Sequence, residues 1–192
     1  MFRCILVIFL MAAVFTGFAE EGESVNLLSN PSFEQPAENE AGQPSGWDWF
    51  SSEKHLMTHE QGLGRTGDFG LRMATQGKLD AYLGIIQRRP VSVEKTYTFS
   101  AYLRRDKKSP LGGSAVGQLV VEWVDGRGKE LGRRYGDPWG HNLSGLRWTR
   151  MALTDLEPPK GTEEAVFGVH LSDRNLGGRG AFVVDDVSVA AE

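Results

Sequence analysis

The sequence predicts an all-β protein, a sandwich or barrel of short antiparallel strands. Glycine accounts for 24 of 192 residues, well above the usual ~7%, and is spread through the chain as turn punctuation. Between the glycines lie short runs that alternate apolar and polar residues, the period of a half-buried strand. The chain shows no heptads, no strong helical stripe and no internal repeat. Many short strands with turns every ten residues or so mark a sandwich or barrel.

The first segment is not part of that pattern. Residues 1–19 open on the positive start Met1-Phe2-Arg3, continue through the uncharged run 4–15 and end in small residues at Gly17 and Ala19. This is the pattern of a signal peptide cleaved after Ala19. It is too short for a spanning helix and lacks a positive stop, since Glu20, Glu21 and Glu23 follow. Residues 20–24 read as a short disordered start, and 25–192 as the folded unit. Strand candidates follow at 25–28, 70–74 and 82–87. The run 97–104 alternates cleanly, with Tyr97, Phe99, Ala101 and Leu103 on one face and Thr98, Ser100, Tyr102 and Arg104 on the other. The Val-rich run 118–124 ends in Asp125-Gly126-Arg127-Gly128, a hairpin turn. Strands at 148–153, 165–171 and 181–189 complete the set.

Charge and cysteine narrow the function. The formal charge is −4, and loss of Arg3 with the leader makes it −5. A mildly acidic chain lacks the basic face that nucleic acid requires. The one cysteine, Cys4, leaves with the leader, so the exported protein has no disulfide to rely on. At some 170 residues it can bury an adequate core without one. After leader cleavage no segment is apolar and long enough to enter a bilayer. The chain is therefore expected to be secreted, extracellular or periplasmic.

Asn26-Leu27-Leu28-Ser29-Asn30-Pro31-Ser32-Phe33-Glu34 resembles the opening strand of the jelly-roll carbohydrate-binding modules attached to bacterial cellulases and xylanases (families four, nine and twenty-two), modules with a galactose-binding-domain-like fold. Gly46-Trp47 and Thr66-Gly67-Asp68-Phe69-Gly70-Leu71-Arg72-Met73 are similar to segments that follow in them, the second with departures. Segments 97–102 and 122–128 match in character, as does the ending Phe182-Val183-Val184-Asp185-Asp186-Val187-Ser188-Val189. The order is kept throughout. The resemblance implies a two-sheet antiparallel jelly roll that binds polysaccharide without transforming it.

It also implies a structural calcium ion tying the first strand to the last. Glu34 and Asp185 would supply carboxylates, with oxygens from Ser32 and the loop around Asp68. Calcium takes six to eight oxygens, so such a set is chemically sensible. Asp186 competes with Asp185, because strand alternation sends the two to opposite faces. Read without the resemblance, Glu34 and Asp185 are ordinary end-of-strand acids, solvated or paired with Arg72 or Arg179.

A sugar presents an apolar C–H face and a rim of hydroxyls, so its site pairs flat rings with a few polar partners. The candidates are Tyr102, Trp49, Trp139, Tyr135 and Tyr82, with Arg104, Glu122 and His170 as polar partners. Tyr102 leads because it leaves the apolar face of its strand beside Arg104. Trp47, Trp123 and Trp148 are expected in the core. The glycines at 62, 64 and 67 fit a nucleotide-loop spacing but precede a strand, so they read as a loop. His55 and His59 read as loop histidines, and 104–108 as a solvated basic turn. Two other classes stay open: an adhesive cell-surface module contacting protein, and an enzyme acting on glycans with paired carboxylates. The sequence shows no nucleophile elbow and no histidine beside a convincing partner.

Overall fold

A computed structural model describes residues 25–36, 42–51, 56–77, 81–174 and 177–192. The leader read at 1–19, the start at 20–24 and His55 lie outside them. Ten strands form in the described residues: β1 (Asp48–Phe50), β2 (Met57–Gln61), β3 (Phe69–Thr75), β4 (Ala81–Pro90), β5 (Tyr97–Arg105), β6 (Val116–Val124), β7 (Glu130–Tyr135), β8 (Thr149–Leu156), β9 (Glu164–Asp173) and β10 (Gly180–Ala191). They make two five-stranded sheets. Sheet one runs β1-β4-β9-β6-β7 and sheet two β2-β3-β10-β5-β8, and every strand pair is antiparallel. Of the sandwich or barrel that the alternation leaves open, this is the two-sheet antiparallel sandwich that the family resemblance implies.

The core lies between the sheets and is built by period two. Leu83 and Ile85 on β4, Phe167, Val169 and Leu171 on β9, and Leu119, Val121 and Trp123 on β6 point inward from sheet one. Leu71 and Met73, Phe99 and Leu103, and Phe182 and Val184 meet them from sheet two. Phe99 and Phe167 touch across the gap, with ring centroids 5.4 Å apart. Trp47 is buried against Phe33, and its indole N–H donates to the Asn30 carbonyl at 2.9 Å.

Three strands escape the sequence reading, β1, β2 and β7, and all three are sheet edges. Edge strands are short and carry polar residues on both faces, which blurs the alternation. The opposite error falls at 25–28, where no regular strand forms. There the Asn26 side chain takes the place of backbone pairing. Its amide donates to Val187 O at 3.0 Å and its oxygen accepts from Val189 N, also at 3.0 Å. One backbone bond, Leu27 N to Val189 O, completes the attachment.

Two tryptophans expected at a ligand surface belong to the core. Trp49 points inward from β1 and is 8% exposed. Trp139 is 2% exposed, edge-on to Phe182 with centroids 5.5 Å apart. Its indole lies on Gly117, where a Cβ would come within 2.1 Å of the ring nitrogen. The 136–140 loop folds back because Gly117 and Trp139 exchange both backbone hydrogen bonds. Trp148 errs the other way: expected inside, it stands half-buried on the outer side of sheet two.

Trp139→Ala should therefore cost about 3–5 kcal/mol in a urea titration, the penalty for emptying a buried aromatic site. An unfolding free energy unchanged by the substitution would return Trp139 to the surface.

Candidate functional site

A strand that buries every second residue must export the others, so each sheet presents an outer face. On sheet one the register gives that face as a grid. One row runs Tyr82, Ser172 and Val116; the next runs Phe50, Gly84, His170 and Gln118. Below come Ile86, Gly168, Val120 and Tyr135, then Arg88, Val166, Glu122 and Arg133.

Two glycines in the middle of that grid shape it. The Phe50 ring lies over Gly84, where a Cβ would meet it at 2.5 Å, and the His170 ring leans over Gly168, where a Cβ would meet its Nε2 at 2.6 Å. With no side chains at those positions the rings settle low on the sheet. Phe50, Tyr82 and His170 form one aromatic cluster, with Phe50 edge-on to His170 at 4.7 Å and Tyr82 edge-on to it at 5.3 Å. The Tyr82 hydroxyl and His170 Nδ1 are 2.8 Å apart.

The cluster divides a groove into two adjoining cavities. One, about 380 Å³, is lined by Tyr82, Gln118, Tyr135, His170, Ser172 and Arg174. The other, about 240 Å³, is lined by Phe50, Tyr82, Arg88, Glu122, Arg133 and His170. Tyr82 and Tyr135 reach solvent at 36% and 52% exposure. Arg133 bonds Glu122 at 2.9 Å and Glu130 at 2.7 Å, which fixes its fork beside the groove. Burial, and then the Arg133 charge, lower the His170 pKa to about 3, so the ring is neutral at ordinary pH. Burial raises the Tyr82 hydroxyl pKa and keeps it a donor. The groove thus combines flat rings with donors and acceptors around a shallow floor.

The outer face of sheet two is different. Tyr102 and Arg104 share the outward face of β5; Tyr102 pairs with Arg150 of β8 and Asp185 of β10, and Arg104 with Val183 of β10. The Arg65 guanidinium lies 3.6 Å above the Tyr102 ring, covering the surface on which a sugar would stack. Arg104 lies 4.6 Å over the Trp148 ring. The sandwich therefore separates Tyr102 and Arg104 from Glu122 and Tyr135, which the sequence reading had grouped. Glu122 and Tyr135 do meet, together with Tyr82 and His170. No local pattern in the sequence marks Phe50, Gln118, Arg88, Arg133 or Arg174; the cross-strand register joins the first four to the rest, and Arg174 joins them at the Tyr82 ring.

The residues expected to hold calcium converge on one loop, but with the wrong donors facing them. Asp185, fully buried, accepts from the backbone N–H of Arg65 at 2.5 Å, Thr66 at 3.1 Å and Asp186 at 2.7 Å. Glu34 accepts from the N–H groups of Asp68 and Phe69 at 3.1 and 2.9 Å. The Asp68 carbonyl accepts from Gly62 and Gly64, while Ser32 sits half-buried nearby in sequence. N–H groups carry partial positive charge and repel a cation, so this arrangement does not fit a calcium shell. Among the described residues no three His, Cys, Asp or Glu side chains cluster to hold a metal. Burial pushes the Asp185 carboxyl up to about 6, against the pull of its N–H bonds.

Alternation does not separate Asp185 and Asp186 here. The register of β10 shifts between Asp185 and Ser188, and Asp186 takes a positive φ of 45°. Asp186 therefore also reaches the loop, accepting from Arg65 Nη1 at 2.5 Å and Thr66 Oγ1 at 2.7 Å. Gly67 closes the clasp at φ 77°, and a Cβ there would strike the Glu34 carboxylate at 2.4 Å.

Comparison with known proteins places the fold. No protein-family model matches the chain, and no curated protein matches it in sequence. Solved structures do match in shape. TmCBM61, in complex with β-1,4-galactotriose, has a TM-score of 0.58 at 17% identity, covering 88% of this chain and 100% of that one. The CBM22-1–GH10 modules of Clostridium thermocellum endo-1,4-β-D-xylanase 10B, complexed with xylohexaose, give 0.62 at 15% identity, covering 88% of this chain and 29% of that one. The CBM22-1 xylan-binding domain of Paenibacillus barcinonensis Xyn10C gives 0.55 at 16% identity, over 88% and 95%. The chain has the jelly-roll fold of these carbohydrate-binding modules.

Two outcomes follow from the site's chemistry. An unfolded histidine titrates near 6.5, so below that pH the unfolded chain takes up a proton that folded His170 refuses. The stability present above pH 6.5 should fall with pH, by about 2 kcal/mol at pH 5 from this group. His170→Gln should remove that part of the slope in urea titrations; equal slopes in both proteins would put a proton on the folded ring. For the clasp, chelator should leave the thermal melt unchanged. Asp185→Ala should cost about 1.5–3 kcal/mol with or without calcium, the range for hydrogen bonds to a charged group. A melt raised by calcium in the wild type alone would restore the metal.

Proposed function

We propose that this chain is a secreted, non-catalytic carbohydrate-binding module that takes a polysaccharide chain in the groove on the outer face of sheet one. The observation that carries this reading is the groove itself: rings of Tyr82, Phe50 and Tyr135 around a glycine-lowered floor, with Gln118, Glu122 and His170 between them. Rings in such a groove bury the C–H faces of pyranoses, and the polar groups meet the hydroxyls. Matching modules bind galactotriose, xylohexaose and xylan on the same fold, which supports the substrate class.

The groove's chemistry suits binding better than hydrolysis. Glycoside hydrolysis uses two carboxylates on either side of the scissile bond. Among the described residues lining the groove Glu122 is the one carboxylate, and Arg133 holds it in an ion pair at 2.9 Å. Export is supported by the leader pattern at 1–19, and among the described residues no helix is long and apolar enough to cross a membrane.

Affinity electrophoresis in galactan, xylan, glucan and mannan gels tests the site. Tyr135→Ala should weaken retention by about 1 kcal/mol or more, while stability changes by less than about 0.5 kcal/mol because the ring is exposed. Tyr102→Ala, on the opposite sheet, should retain wild-type affinity. The reverse pattern would move the site to sheet two.

A further inference from the structure

We infer that the groove selects an anionic polysaccharide, one bearing uronate carboxylates or sulfate esters, through Arg88 at one end and Arg174 at the other. This inference rests on the groove being the polysaccharide site. The protein as a whole is acidic, at −4, yet the groove is lined by three arginines and one carboxylate. Arg133 is answered by Glu122 and Glu130. Arg88 and Arg174 have no ion-pair partner among the described residues. Asp48, outward on β1 one row from Arg88, is not in an ion pair with it. His170 is neutral and neither adds to the positive field nor offsets it.

Their placement follows the groove axis. Tyr82 and Arg88 lie on the same face of β4, six residues apart, so roughly 20 Å separates their rows. Arg174, the residue that follows β9, holds its guanidinium 5.5 Å from the Tyr82 ring centroid. A chain lying on the aromatic cluster would pass both cations. A guanidinium presents a planar fork of donors that matches carboxylate and sulfate oxygens, and neutral hydroxyls gain much less from it. Two unanswered arginines on an acidic protein, both at a ring-lined groove, point to a ligand that brings the missing negative charge.

The probes are polygalacturonate against neutral galactan, and sulfated against unsulfated galactan, in affinity gels at low salt and at about 1 M, where the Debye length is ~3 Å. The acidic polymer should bind about tenfold more tightly than its neutral partner at low salt, and most of that preference should vanish at high salt. Arg88→Gln and Arg174→Gln should each reduce the acidic-to-neutral ratio several-fold. Arg104→Gln, an arginine of the opposite sheet, should leave the ratio unchanged. A preference for polygalacturonate alone identifies uronate as the anion, and one for sulfated galactan alone identifies sulfate. Equal retention on acidic and neutral polymers overturns the inference while leaving the binding module intact. A ratio that falls for Arg104→Gln and not for the groove arginines also overturns it. Retention on no polymer removes the module reading together with this one.

Discussion

The constraint on which everything else depends is that each of the two sheets must bury one face against the other. Period two then leaves no choice about what reaches solvent: with Leu83, Ile85, Phe167 and Val169 committed to the core, Tyr82, Gly84, Ile86, Gly168 and His170 must face out. A one-residue slip in β4 or β9 would bring Gly84 and His170 inward and expose Ile85 and Val169. The hydrophobic pattern that makes the core thus also holds the groove in place.

Given that face, the groove comes from what is missing as much as from what is present. Gly84 and Gly168 stand diagonally across the β4–β9 pair, and the absence of a Cβ lets Phe50 and His170 lie against the sheet. Larger residues at the same positions would lift both rings and level the surface. The opposite face has comparable aromatic and cationic side chains, but there Arg65 and Arg104 lie 3.6 and 4.6 Å from the Tyr102 and Trp148 ring centroids, closer than Arg174 and Arg133 lie to the groove rings Tyr82 and Tyr135, at 5.5 and 5.9 Å. A ring already covered by a guanidinium must lose that contact before it can stack on anything else.

The three acids of the clasp show the same residue types put to a different use from the one the motifs suggest. Glu34, Asp185 and Asp186 bring the first segment and the last strand together at the 65–69 loop, as a shared calcium would. Here the loop's own N–H groups supply the positive charge. A β-bulge in β10 lets both aspartates face the loop, which regular alternation would forbid.

The sequence by itself determined the all-β class, seven of the strands and the inward sets such as Tyr97, Phe99, Ala101 and Leu103, because alternation is local and survives in any environment. It also pointed to Tyr82, Tyr135, Glu122 and His170 as candidates, one by one. It could not pair them. Which strands lie side by side depends on contacts between residues far apart in the chain, and so does which outer face each candidate joins. Trp139 looks exposed in a loop of Gly, Asp and Pro until Gly117, 22 positions earlier by the numbering, is seen to make room for its indole. Tyr102 and Glu122 look like partners until the core is found between them. Local pattern decided what each strand buries; long-range register alone decided what its exposed residues meet.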